Sequence, residues 1–582
     1  MHETTETATR KRLRLWLPIA LICIYWVHFL AMRLLDIQSF ASFLSGMALL
    51  ALAIFGFLGW WTFNRSLTGR ERLAVVAAAV VGAAFALLLI KSTLPPPFLI
   101  MLMVPWVLTV WAVWLLIARD WAPARRTGGL VLCLALAWGA FLLVRVEGLR
   151  GNMQAEVHWR WSPNAEESYL AGHPQSPAAT APATAGRTVA IQSGDWPGFR
   201  GPARDGVVHG LKINTDWNAA PPKVLWKQRV GPAWSSMAVV GGLVYTQEQR
   251  DKAEAVVCRD AGSGSEVWVH QDAVRFNDAI AGPGPRATPT FSDGRLYTLG
   301  GTGNLNCLDP ATGQVIWTHD IAADAPAKPP IWGFSSSPLV SHGLVTVFAG
   351  GDGPKSLLAY RTETGQLAWG APAGKHAYAS TQVATLAGRE QLLLFTDLGL
   401  SAFDPENGSL LWKHPVPQVA GLPPCLQAQP IGSDDVLISW GNGIGTVLLH
   451  VAQGNGGWTV SPKWTSKRLK ATFDDLVVHD GHAYAFDGST FCCLDLASGN
   501  RAWRDGHYGN GQVLLLADQG LLLVTSEDGG VVLLSARPDR HEELARVPVV
   551  SGKAWNHPAV AGGKLFVRSD SEMACLELPA AR

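Results

Sequence analysis

The chain has 582 residues, more than one ordinary domain needs, and its composition divides it into an apolar first quarter and a Gly, Asp and Pro-rich remainder. Its 47 basic and 46 acidic side chains nearly cancel to a net charge of +1, and no Lys/Arg block follows the N-terminal one, which argues against nucleic acid as a partner.

Five apolar stretches are long enough to cross a bilayer, which takes about 20 residues of helix: Leu13 to Leu35, Phe40 to Phe63, Leu73 to Ile90, Phe98 to Ala118 and Gly129 to Val146. Five successive runs argue against a cleaved leader. Basic residues collect before the first span (Arg10, Lys11, Arg12, Arg14), in the second connection (Arg65, Arg70, Arg72) and in the fourth (Arg119, Arg125, Arg126). The other two connections carry only Arg33 and Lys91, so the positive-inside rule predicts a cytoplasmic N-terminus and delivers everything after Val146 to the periplasmic side of a bacterial inner membrane. Trp16, Trp60, Trp61, Trp106 and Trp121 are read as interfacial anchors near span ends. No strong acid or base falls near the middle of a span, so the region reads as an anchor without a proton or ion path. Residues 1–146 are taken as this membrane domain, and 147–194 as a Pro/Ala/Thr-rich linker containing "AGHPQSPAATAPATAG".

Residues 195–582 carry a repeat. "CRDAGSGSEVW", "CLDPATGQVIW", "AYRTETGQLAW", "AFDPENGSLLW" and "CLDLASGNRAW" each place a glycine four residues before a tryptophan: Gly264, Gly313, Gly365, Gly408 and Gly499 before Trp268, Trp317, Trp369, Trp412 and Trp503. Asp260, Asp309, Asp404 and Asp495 stand four residues before their glycines, and Arg361 replaces the acid once. From Trp268 to Trp412 the steps are 49, 52 and 43 residues, the length of four short strands with turns. In the unit read in full, "RATPTF", "RLYTLG", "LNCLD" and "QVIWTHD" are strands, which predicts one four-stranded propeller blade per repeat. Fourth strands counted at Trp226, Trp268, Trp317, Trp369, Trp412, Trp464, Trp503 and near Arg546 predict eight blades. "MACLELP" (573–579) lacks a fourth strand and "KVLWKQRV" (223–230) lacks a third, so the two complete one blade across the termini. The glycines allow a positive φ in a tight turn, the aspartates hold its backbone, and each indole supplies a docking face worth at most about 4–6 kcal/mol. The motif is structural.

The D-x3-G-x3-W repeat resembles the tryptophan-docking motif of propellers related to pyrroloquinoline quinone (PQQ) dehydrogenases, and "DWPGFRGPARDG" (195–206) resembles a segment common in PQQ-binding-like repeat proteins. Two functions share that architecture: outer-membrane assembly scaffolds of the BamB type, and quinoprotein dehydrogenases, whose membrane-bound glucose-oxidising members also place five spans before the propeller. The resemblance therefore implies either a non-catalytic scaffold with a periplasmic protein or peptide partner, or an alcohol or sugar dehydrogenase using PQQ and Ca²⁺ and passing electrons to ubiquinone. Compact blades of about 48 residues leave no long insertions to roof a substrate cavity, which favours the scaffold. No catalytic residue, metal site or cofactor is assigned. Asp278, Asp352, Asp397, Asp474, Asp475, Asp528 and Asp570 match none of the family's catalytic or metal-binding positions and are read mainly as surface turn acids. "PAWSSMAVV", "GPRATPTF", "WGFSSSPLV", "HAYASTQV" and "AWNHPAV" place Trp234, Arg286, Trp332, Tyr378, Trp555 and His557 at the starts of inner strands, making them the candidates for a binding rim. The cysteines of the repeats are read as buried small residues, without disulfides.

Overall fold

The computed structural model describes residues 13–35, 40–151, 154–172, 187–417, 423–441 and 443–581. It divides into two compact units, 1–162 and 163–582.

The first unit holds five helices long and apolar enough to cross a membrane. They are α1 (Trp16–Leu34), α2 (Phe40–Phe63), α3 (Gly69–Leu89), α4 (Pro96–Ile117) and α5 (Pro123–Ala140). Pro96 and Pro123 start their helices where a missing N–H costs nothing. Thr68 and Glu71 form a reciprocal capping box at the start of α3. Glu71 also accepts from Arg126 of α5 at 2.9 Å, so a buried ion pair joins two helix starts. Two expectations change. Trp106 lies midway along α4, 4.9 Å from Trp26, rather than at a span end. The fifth span stops early: a 3-10 turn, Phe141–Leu143, leads into a strand, Val144–Leu149, paired with Lys91–Ser92 and with Ala155–Trp159. The described residues after the fifth span thus pair as two antiparallel strands, and α6 (Ala165–Gly172) belongs to the second unit, where the Tyr169 hydroxyl donates to Glu248 at 2.9 Å. Of the expected linker, 152–153 and 173–186 lie outside the described residues.

The second unit is all-β apart from short helical turns. Among the described residues it forms eight sheets of four or five strands, which span 238–272, 290–320, 339–371, 382–415, 429–466, 477–507, 512–548 and 559–577, referred to below as the first to the eighth sheet. Each runs up and down in sequence order, as tight turns between short strands dictate. The eighth takes its fourth strand, Lys223–Arg229, from the front of the unit, with Cys575 opposite Trp226. Apolar cores lie between sheets: Tyr297 and Trp317 of the second pack with Val345 and Tyr360 of the third.

The repeat motif supplies the joints. A Cβ on Gly264, Gly313, Gly365, Gly408 or Gly499 would strike the indole of Trp226, Trp268, Trp317, Trp369 or Trp464, the tryptophan of the preceding sheet. Trp226, Trp268, Trp317, Trp464 and Trp503 donate their Nε1–H to carbonyls of Ala261, Pro310, Thr362, Leu496 and Arg537, each in the following sheet. Trp412 donates instead to Gln391 of its own sheet. Asp309 Oδ1 accepts from the backbone of Ala311 and Thr312, holding the turn that presents Gly313. The eight cysteines are free, and Cys492 and Cys493 are buried on opposite faces of one strand.

Candidate binding site at one end of the inner strands

The first strand of each sheet is the inner one, and the residues just before it form two tiers. Two positions before the strand stand Ser236, Thr288, Ser337, Ser380, Gln427, Asp475 and His557. They stitch the sheets together in cyclic order. Ser236 N–H donates to Thr288, Thr288 N–H to Ser337 and Ser337 N–H to Ser380, at 3.3, 3.0 and 2.9 Å. Gln427 joins Gln382, its backbone faces the Asp475 carboxylate and helps to keep that group ionised, and Asp475 N–H donates to Gln512 at 3.2 Å. Gln512 reaches the Trp555 carbonyl, and Asn556 closes the circle on Ser235 at 2.7 Å.

Below this ring lies the leading segment 196–208, which touches all eight sheets. Trp196 exchanges backbone bonds with Val239, and Phe291 donates to the Pro197 carbonyl. Arg204 donates to the carbonyls of Ser337 and Pro338, and Gln382 and Gln427 donate back to Ala203 and Arg204. Arg200 donates to Leu476 and lies 3.6 Å from Asp475. Val207 pairs with Leu515, and Phe199 packs edge-on against His557 at 4.8 Å. Arg200 and Arg204 are 2% and 7% exposed, and burial followed by repulsion from Arg200 pushes the Arg204 guanidinium down to about 9. The segment therefore plugs one end of the ring with two buried cations.

Four positions before the inner strands lies the other end, with Trp234, Arg286, Tyr378, Cys425, Phe473 and Trp555. Trp234 and Trp555 face each other at 4.7 Å, the Lys553 ammonium sits 5.6 and 5.1 Å from their centroids, and Phe473 adjoins Trp555 at 5.4 Å. Trp332 lies 4.9 Å from Tyr378, whose hydroxyl accepts its backbone N–H, and burial pushes that phenol up to about 12. Arg286 pairs with Asp278 and lies 4.6 Å over Phe276. Five of the six predicted rim residues thus fall into three small clusters. His557 does not join them: it belongs to the deeper tier, 2.9 Å from Asp475 and against the plug.

The acids need a correction. Asp278, Asp474 and Asp475 are buried, at 4%, 0% and 4% exposure, not surface turn acids. Asp352 is exposed, as read, and pairs with Lys375. Sequence reasoning also missed Glu527, which accepts from Trp555 Nε1 at 3.1 Å, and Lys553. Aligning inner-strand starts would have found Asp475, which occupies the same offset as Ser236 and His557. Neither oxygen of Asp474 has a hydrogen-bond partner among the described residues, and burial, then Glu527 and Asp475, raise its carboxyl well above the ordinary range. Burial followed by Asp272 likewise raises Glu254, beneath Gly301, to about 7. By contrast, Arg200 and His557 hold Asp475 below the ordinary carboxylate range despite its burial.

A raised carboxyl favours the folded state while protonated. That stability is fully present below the unfolded pKa of about 4 and is lost as pH rises through the folded value. Asp474→Asn is therefore expected to melt higher than the wild type at pH 8 and to converge with it near pH 4. A pair of melting curves at the two pH values checks this, and parallel shifts at both would contradict it.

A Ca²⁺-dependent quinone would need free oxygen ligands here. Asp278 is taken by Arg286, Asp475 by His557 and Arg200, and Glu527 by Trp555. No group of three His, Cys, Asp or Glu placed to hold a metal occurs among the described residues, and of these acids Asp474, beside Glu527 and Asp475, is the one whose two oxygens are both unpartnered.

Residues 252–505 match the family model described as outer membrane protein assembly factor BamB. The repeats in that stretch resemble those of BamB. The chain is 26% identical over 350 residues to the outer membrane protein assembly factor BamB of Burkholderia pseudomallei (strain K96243), covering 56% of this chain and 83% of the relative. It is 31% identical over 134 residues to the quinohemoprotein alcohol dehydrogenase ADH IIB of Pseudomonas putida, covering 22% of this chain and 18% of that protein. Among solved structures, quinohemoprotein alcohol dehydrogenase from Comamonas testosteroni aligns with a TM-score of 0.47 at 12% identity, covering 72% of this chain and 85% of that one.

Proposed function

We propose that the eight BamB-like sheets are the blades of one closed propeller, held in the periplasm by five spans of a bacterial inner membrane with the N-terminus cytoplasmic, and that it works as a non-catalytic binding module in envelope protein assembly. The observation that carries this reading is the condition of the unplugged end. Its aromatic faces, Trp234, Trp555, Trp332 and Tyr378, sit beside acids that are already paired or raised towards neutrality. Such a surface suits burial of apolar and aromatic side chains of a protein segment more than proton abstraction from a substrate. The match along 83% of an assembly factor, against 18% of a dehydrogenase, supports the same reading.

A photo-reactive amino acid at Tyr378 of the full chain in envelopes is expected to capture a protein partner. Trp234→Ala, Trp332→Ala and Trp555→Ala together are expected to reduce that adduct at least ten-fold, the loss of about 1.4 kcal/mol or more of binding. Saturable binding of PQQ and Ca²⁺ with dye-linked oxidation of an alcohol or sugar would overturn the proposal in favour of a dehydrogenase.

A further inference from the structure

The hairpin that follows the fifth helix leaves two indoles uncovered. Trp159 and Trp161 stack face to face, 5.0 Å between centroids and 10° between planes, at 55% and 68% exposure. Val157 and Leu143 beside them in sequence and register are also exposed. An apolar plate of this kind is unusual where water is the neighbour.

Arg160, between the two indoles, fixes their level. Its backbone N–H donates to the Leu143 carbonyl at 2.9 Å, and its Nη1 donates to the carbonyls of Leu89 and Leu142 at 3.2 and 3.3 Å. Leu89 ends α3, and Leu142 and Leu143 end the fifth candidate span, Pro123–Leu143. One guanidinium thus caps the last carbonyls of two candidate spans, where a cation is favoured, and holds its flanking tryptophans at the same depth. The strand Val144–Leu149 begins at that level and pairs with Lys91–Ser92 from the connection after α3, so the hairpin is stitched to the helix ends and cannot swing freely. Indoles prefer this depth because the ring meets acyl chain while the N–H stays with headgroups.

We propose that Trp159 and Trp161 are an interfacial anchor that lies in the lipid headgroup layer and sets the depth of the helix bundle on the side where the chain leaves it. The proposal rests on the five helices crossing a membrane, and the test separates the two claims.

The full chain is placed in vesicles of phosphatidylcholine brominated either near the headgroup end of the acyl chain or near its terminus. The emission of the pair is isolated as the difference between wild type and Trp159→Phe/Trp161→Phe. It is expected to fall by about half or more with the shallow bromine and little with the deep one. Trp106, midway along α4 and 54% exposed, is isolated in the same way with Trp106→Phe and is expected to respond most to the deep bromine. Deep quenching of Trp106 with a pair that responds only to aqueous iodide would overturn the anchor alone. A Trp106 that no brominated lipid quenches would overturn the membrane reading and the anchor with it.

Discussion

Replacing Arg200 by alanine is expected to cost the second unit about 3–5 kcal/mol, the range for breaking a buried ion pair from one side. The guanidinium donates to the carbonyls of Asp205 and Leu476 and lies near Gln429 and Asp475, so one truncation strands acceptors on the fifth and sixth sheets. Asp475 would keep its contact with His557 and its electrostatic interaction with Arg204. Arg200→Lys keeps the charge but loses the planar fork, and is expected to recover part of the loss. Chemical denaturation followed by near-ultraviolet circular dichroism gives both values. A loss below about 0.5 kcal/mol for the alanine variant would mean that the plug is not what ties the inner strands together.

Gly313→Ala is expected to destabilise by about 2–4 kcal/mol, and most of that loss should vanish when Trp268 is also alanine. The residue has φ +73°, which costs an alanine about 1 kcal/mol by itself. A Cβ there would sit 2.4 Å from Cε3 of the Trp268 indole, so the ring must leave its place between the first and second sheets. Trp268→Ala alone opens a cavity at a 2% exposed site and is expected to cost about 3–5 kcal/mol. With the indole gone, only the backbone strain remains for Gly313→Ala to pay. Additive losses in the double variant would show that ring and glycine do not share one joint.

The joints were legible because they are local. Four turns are written by an aspartate, a glycine and a tryptophan at fixed spacing and a fifth has Arg361 in the acid's place, so one correct reading served five sheets. Closure was legible for a similar reason: an unpaired third-strand pattern at one end and an unpaired fourth-strand pattern at the other had one economical solution, and Cys575 does face Trp226. The binding end was harder. Trp555 and His557 are two residues apart and look equivalent in the sequence, yet one belongs to an aromatic cluster and the other to the deeper tier that packs against the plug. Asp474 and Asp475 resemble any acidic turn until the inner strand is located at Val477–His479. The strands Val144–Leu149 and Ala155–Trp159 were divided between the fifth span and the linker, since the first also pairs with Lys91–Ser92, more than fifty residues upstream.

By itself the sequence determined the apolar helices, the repeat length, the sheet architecture and the pairing of its two ends, because hydrophobic runs and turn chemistry act over a few residues. Tertiary structure alone decided which end of the inner strands is filled. Thirteen consecutive residues, 196–208, reach eight sheets that are scattered over the rest of the chain, and whether an acid becomes an ion pair, a neutral carboxyl or a surface charge depends on what those sheets bring within hydrogen-bonding distance.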